Sequence, residues 1–99
     1  MDNYETELYR RIDEVLHYIW DPIGVRGEPH ARDEYNAYVP KVLELVQSRT
    51  DAKRIAAYLI QVQVQNMGLL PNEPHALVVA HHLLDWREVL LRQWPEILG

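Results

Sequence analysis

The stretch between Trp20 and Pro40 limits most strongly how this chain can fold, because it separates two helical segments by an unusually long connection. Connections of this length in compact domains are usually either functional or disordered. This one carries aromatic, proline and acidic residues in place of Ser- and Gly-rich filler. We therefore expect an ordered loop with a fixed shape between the first two helices.

Four segments have the apolar periodicity of amphipathic helices. In the first, Asp2 and Glu5 have the spacing of a capping box, whereas His17 falls outside the apolar face. Asp21 and Pro22 end this helix, because proline disfavours helical geometry in the residue before it. The predicted helices span approximately 3–20, 40–47, 51–67 and 72–94.

Local signals set the remaining boundaries. Pro40 suits the first position of the second helix, and the third starts after Thr50 or Asp51. Gly68 ends the third helix as a left-handed residue, and Asn72 begins the fourth. Alternating Gln and Val leave a strand over 60–65 as a local alternative. The sequence predicts a single domain, residues 1–99, with an all-α fold: a compact bundle of about four helices.

Composition and charge argue against several functions. The net charge of −5, with Lys and Arg scattered among acids, disfavours nucleic-acid binding. There is no cysteine, which fits a reducing compartment. The first residues lack the pattern of a signal peptide, and no apolar run reaches the length of a membrane span. We therefore expect a cytoplasmic protein that binds neither nucleic acid nor a membrane.

The sequence offers little material for catalysis or for metal binding. Adjacent acids on a helix point about 100° apart, so neither Asp-Glu pair converges by itself, and there is no nucleophile elbow or Gly-rich phosphate loop. We predict a protein that is not an enzyme and has no cofactor. His81, His82 and Asp85 could share one face of the fourth helix. We interpret them as surface groups, because two-His helical sites usually have the HExxH pattern.

The long loop is the best candidate for a binding surface. Tyrosine is enriched at protein interfaces, although tyrosine rings could also pack the loop against the helices. We favour packing for Tyr38 and leave Tyr35 open. Glu34 is expected either to pair with Arg26 or Arg32 or to be solvated. The predicted interaction surface comprises Asp21, Pro22, Gly24, Asp33, Glu34, Tyr35 and Tyr38.

Three short motifs resemble a family of short, uncharacterised bacterial proteins. Residues 20–25 read WDPIGV, residues 33–39 read DEYNAYV, and residues 67–69 read MGL. The family signature is a D-P-I-G turn, then D-E-Y-x-x-Y, then helices ending in Met-Gly-Leu. The resemblance covers approximately residues 20–69. It implies a small, all-helical cytoplasmic domain of unknown function and implies no activity.

Three functions remain compatible with these features. The first is a protein-interaction module with a basic or mixed partner, for example an immunity-like protein that masks a toxin's basic surface. The second is a metal or small-ligand binder using the two adjacent histidines and Asp85. The third is a structural homodimer through the fourth helix, where Leu77, Leu84 and Leu91 follow a seven-residue spacing.

Overall fold

The computed structural model describes residues 3–48 and 50–97, and this part of the chain contains helices but no strand. The strand alternative over 60–65 is therefore not adopted, and the predicted all-α bundle is confirmed. The predicted cap Asp2 lies outside the described residues. The four main helices are α1 (Asn3–Val15), α2 (Val39–Gln47), α3 (Ala52–Gln61) and α4 (Glu73–Gln93).

Five short helical turns complete the fold in the described part of the chain. Two are π-helical and extend main helices, Leu16–Trp20 after α1 and Val62–Asn66 after α3. The others are 3₁₀ turns at Pro29–Ala31, Asn36–Tyr38 and Pro95–Ile97. None of the described helices is long and apolar enough to cross a membrane.

The predicted start signals of α3 and α4 act as expected, whereas α2 begins at Val39, one residue before the predicted Pro40. The Asp51 carboxylate accepts a hydrogen bond from the Arg54 backbone N–H at 3.0 Å, which caps α3. The Asn72 side chain accepts one from the His75 N–H at 3.2 Å, which caps α4. Gly68 has a φ of +67° and follows the π turn that extends α3. These caps confirm the boundaries of α3 and the start of α4.

The core lies between the four helices, and α4 contacts each of the other three. The predicted seven-residue row on α4 lies beside the row that faces the core. Leu77, Leu84 and Leu91 are only partly buried, and the fully buried row is Ala76, Leu83 and Leu90. Both rows have the same period, so the packing of the neighbouring helices decides which of them faces the core.

The position of His17 differs from the prediction. The sequence placed it outside the apolar face of the first helix, but its side chain is buried, at 2% exposure. It lies in the π turn after α1, where the Asp21 N–H donates to the Leu16 carbonyl at 3.0 Å in the i→i+5 pattern. His17 lines a cavity together with Arg26, Glu28 and Pro29 of the 21–38 loop. The loop therefore covers a position that the α-helical period places outside the apolar face of the helix.

Candidate functional site

Asp21 ends the π turn and organises the loop that follows. Its backbone is left-handed, with a φ of +34°, a conformation that Asp adopts more readily than most residues. Its Oδ1 accepts hydrogen bonds from the N–H groups of Gly24 at 3.1 Å and Val25 at 2.7 Å. Its Oδ2 accepts one from the Arg26 N–H at 3.1 Å. One carboxylate therefore holds three successive amides of the loop.

Tyr35 ties the far end of the loop to the same carboxylate. Its hydroxyl donates to Asp21 Oδ1 at 2.8 Å and accepts from the Ile23 N–H at 3.1 Å. Burial and the bond to Asp21 raise the pKa of Tyr35, despite the opposing effect of the Ile23 N–H. The hydroxyl therefore stays protonated and remains a donor to the carboxylate.

Trp20 lies beneath this network. It is 2% exposed, and its ring centroid is 5.3 Å from that of Tyr35 and 6.1 Å from that of Tyr38. Tyr35 is also 2% exposed, whereas Tyr38 is partly buried against the core. Both tyrosines thus pack the loop against the bundle. The Tyr35 ring is buried between the loop and Trp20, so it supports the predicted interaction surface but does not reach solvent.

His75 on α4 caps the π turn from across the molecule. Its Nε2 lies 2.9 Å from the Ile19 carbonyl oxygen and 3.1 Å from the Trp20 carbonyl oxygen. Because carbonyl oxygens only accept, Nε2 carries the proton. Arg26 adds a third bond, from Nη1 to the Tyr18 carbonyl at 3.2 Å. The final carbonyls of a helix need such partners, and here they come from α4 and from the loop.

These groups border an open cleft of about 540 Å³ at the junction of the two π turns. The first π turn contributes Ile19 and Trp20, and the second contributes Gln63. Short π segments occur frequently at functional sites. The Asp21 carboxylate and the His75 Nε2–H are both engaged in internal hydrogen bonds. The cleft therefore has a fixed shape, and its polar side chains serve first to hold the loop.

Only part of the predicted surface reaches solvent. Asp33, Glu34 and Gly24 are exposed, Asp21 and Pro22 are partly exposed, and Tyr35 is buried. The loop also exposes Ile23, at 47% of its surface, which the sequence did not single out. An isolated Ile inside a turn gives no periodic signal, so its exposure could be found only from the fold.

The basic residues of the loop have other partners than predicted. Arg32 forms a two-pronged ion pair with Asp13 of α1, at 3.0 and 3.2 Å, and lies over the Tyr18 ring. Within the described residues Glu34 forms no ion pair. Of the two alternatives left open for Glu34, solvation therefore applies, because Glu34 is exposed and pairs with neither Arg26 nor Arg32.

His81, His82 and Asp85 are exposed on α4. Residues 3–48 and 50–97 contain no group of three or more His, Cys, Asp or Glu side chains arranged to hold a metal ion. His81, His82 and Asp85 therefore do not form a group of three possible metal ligands in this part of the chain.

Comparisons of the chain with protein-family models, with curated proteins and with solved structures give no match. The resemblance of the three short motifs to a bacterial family therefore stays a prediction.

The role of His75 can be tested by truncation. His75→Ala is expected to lower the free energy of unfolding by about 1–2 kcal/mol, because two carbonyls lose their partner. His81→Ala, at an exposed position of the same helix, should change it by less than about 0.5 kcal/mol. Urea unfolding followed by circular dichroism measures both. Equal effects of the two changes would contradict the capping role of His75.

Proposed function

We propose that this protein is a protein-binding module that uses the outer surface of the 21–38 loop, and that it acts by binding and not by catalysis. The observation that supports this proposal is the bonding of Asp21 to Tyr35, which gives the loop its shape before any partner arrives. A preformed loop avoids most of the ordering entropy that a flexible one loses on binding. The loop's buried side is already occupied by Trp20, so its outer side remains for a partner.

The chemistry of that outer side favours a basic partner. Glu28, Asp33 and Glu34 are exposed, whereas the guanidinium of Arg32 is paired with Asp13 and that of exposed Arg26 donates to the Tyr18 carbonyl. Exposed acids raise the association rate with a basic surface and repel acidic ones. Exposed Ile23 adds an apolar contact beside them. An apolar centre with a polar rim is typical of specific protein interfaces.

In its finer form the proposal is an immunity-like protein of the bacterial cytoplasm that covers the basic surface of a toxin. The lack of cysteine supports the cytoplasmic location, and the family resemblance supports the bacterial source. A toxin gene beside the gene for this protein would support the finer form. Protection of cells against that toxin would test it directly.

Charge reversal on the loop tests the general form. The protein is immobilised, incubated with a lysate of its source organism, and the captured proteins are quantified by mass spectrometry. The double variant Asp33→Lys with Glu34→Lys should capture the specific partner at least about tenfold less than the wild type does. Both positions are exposed, so thermal unfolding should stay unchanged.

The matched control reverses two exposed acids on α4, Asp85→Lys with Glu88→Lys. It makes the same change in net charge outside the loop, and it should retain the partner. Capture that survives the loop variant, or that both variants abolish equally, would contradict a role for this loop. The first result would show that the partner binds another surface. The second would show that capture depends on the net charge of the protein and not on the loop.

A further inference from the structure

A second surface, a groove of about 520 Å³ between α3 and α4, shares no residue with the 21–38 loop. Its apolar lining includes Ala57, Ile60, Val64 and Leu77. Val64 is 41% exposed, and Ala57 is exposed as well, so apolar atoms face solvent along the groove. The small side chain of Ala57 allows another helix to approach closely.

Opposite charges stand at the two ends of this groove. Lys53 lies in the first turn of α3, and the helix rises about 12 Å over the eight steps from Lys53 to Gln61, its last residue. The short connection 67–72 brings the start of α4 beside the π turn that follows α3. Glu73, the first residue of α4, therefore lies at the far end from Lys53.

Glu73 suits the first turn of α4, where the helix dipole favours an anion, but neither Glu73 nor Lys53 has an ion-pair partner among the described residues. A cation in the first turn also opposes the helix dipole of α3, which favours anions at that end. The groove thus carries one unpaired charge of each sign and an apolar lining.

We propose that this groove binds the same groove of a second copy, in a two-fold dimer in which Lys53 of each copy pairs with Glu73 of the other. Two-fold symmetry places the same patch on both subunits in reversed order. A surface that is positive at one end and negative at the other is complementary to itself in that arrangement. This dimer does not depend on the proposed function of the loop. Its interface is formed by α3 and α4 together, whereas the sequence suggested an interface of α4 alone.

Sedimentation equilibrium tests the dimer. The wild-type mass should rise with concentration from 11.7 kDa towards twice that value. Lys53→Glu and Glu73→Lys should each raise the dimer dissociation constant at least about tenfold, because each variant's own dimer contains two like-charged contacts. Mixed in equal amounts, the two variants should associate within a few-fold of the wild type, since both contacts between them are again opposite in sign.

Two charge reversals outside the groove serve as controls for the dimer. Lys41→Glu and Glu88→Lys, exposed charges outside the groove, should leave the dissociation constant unchanged. Recovery in the mixture also shows that both variants are folded. A wild type that stays monomeric at about 1 mM would overturn the dimer. Single variants that associate like the wild type, or a mixture no better than either variant alone, would overturn the Lys53–Glu73 pairing.

Discussion

Trp20→Ala is expected to lower the free energy of unfolding by about 3–5 kcal/mol, the typical cost of removing a large buried aromatic side chain. Trp20 is 2% exposed and contacts the rings of both loop tyrosines. Its removal leaves a cavity between α1 and the loop that Tyr35 cannot fill without breaking its bond to Asp21. We therefore expect loss of global stability together with opening of the loop.

Trp20→Phe is the matched control. The indole Nε1–H is buried without a hydrogen-bond partner in the described residues, and a buried unpaired donor is itself unfavourable. Phenylalanine removes that donor and keeps an aromatic ring beside Tyr35, so the expected cost is only about 1 kcal/mol. Urea unfolding gives both energies, and hydrogen exchange of the Gly24, Val25 and Arg26 amides reports the loop. Equal costs for the two variants would contradict the stabilising role of an aromatic ring packed beside Tyr35.

The helix boundaries could be predicted from the sequence because their causes are local. Asp51 and Asn72 cap helices through amides three residues away, and Gly68 adopts the left-handed conformation that other residues disfavour. Each signal lies within a few residues of its effect. The apolar period of α4 was equally readable, but which of its two rows faces the core depends on the other three helices.

The site could be predicted only in part, because its bonds join distant residues. The order of the loop was expected from its composition, yet that order rests on contacts between Asp21 and Tyr35, fourteen residues apart. Polar side chains are buried only where they have a hydrogen-bond partner, and the sequence does not show that these two residues are partners. His75 bonds to carbonyls that lie 55 and 56 residues away. No local pattern in the sequence distinguishes it from an exposed histidine.

Asp21→Ala is expected to lower the free energy of unfolding by about 3 kcal/mol or more. It removes an acceptor used by three amides and by the Tyr35 hydroxyl, and bonds to a charged group are worth about 1.5–3 kcal/mol each when exposure is low. It also places Ala at a φ of +34°, which Ala disfavours. Asp21→Asn keeps Oδ1 and tolerates that backbone, so it should cost only about 1 kcal/mol. Urea unfolding measures both, and equal costs would contradict a role for the retained oxygen.

The same carboxylate should make stability depend on pH in the acid range. Burial alone would raise the pKa of Asp21, but the bonds from Val25, Tyr35, Arg26 and Gly24 outweigh it and lower the pKa. Because the pKa is lower in the folded state, the ionised Asp21 carboxylate stabilises the fold fully above the pKa of Asp in the unfolded chain, which is about 3.9. This stabilisation is lost as the pH falls through the lower pKa of the folded state. The stability difference between wild type and Asp21→Asn should therefore be constant above about pH 5 and shrink on acidification. A difference that grew towards low pH would contradict the lowered pKa.

A double-mutant cycle that combines Asp21→Ala with Tyr35→Phe measures the coupling energy between the two ends of the loop. Tyr35→Phe keeps the ring against Trp20 and removes only the hydroxyl that donates to Asp21 and accepts from Ile23. Its expected cost is about 1–2 kcal/mol. Because both changes act on one shared bond, the energies of Asp21→Ala and Tyr35→Phe should fall short of additivity by about 1 kcal/mol or more. Additive energies would show that the two residues stabilise the loop separately, and that its shape does not depend on the bond between them.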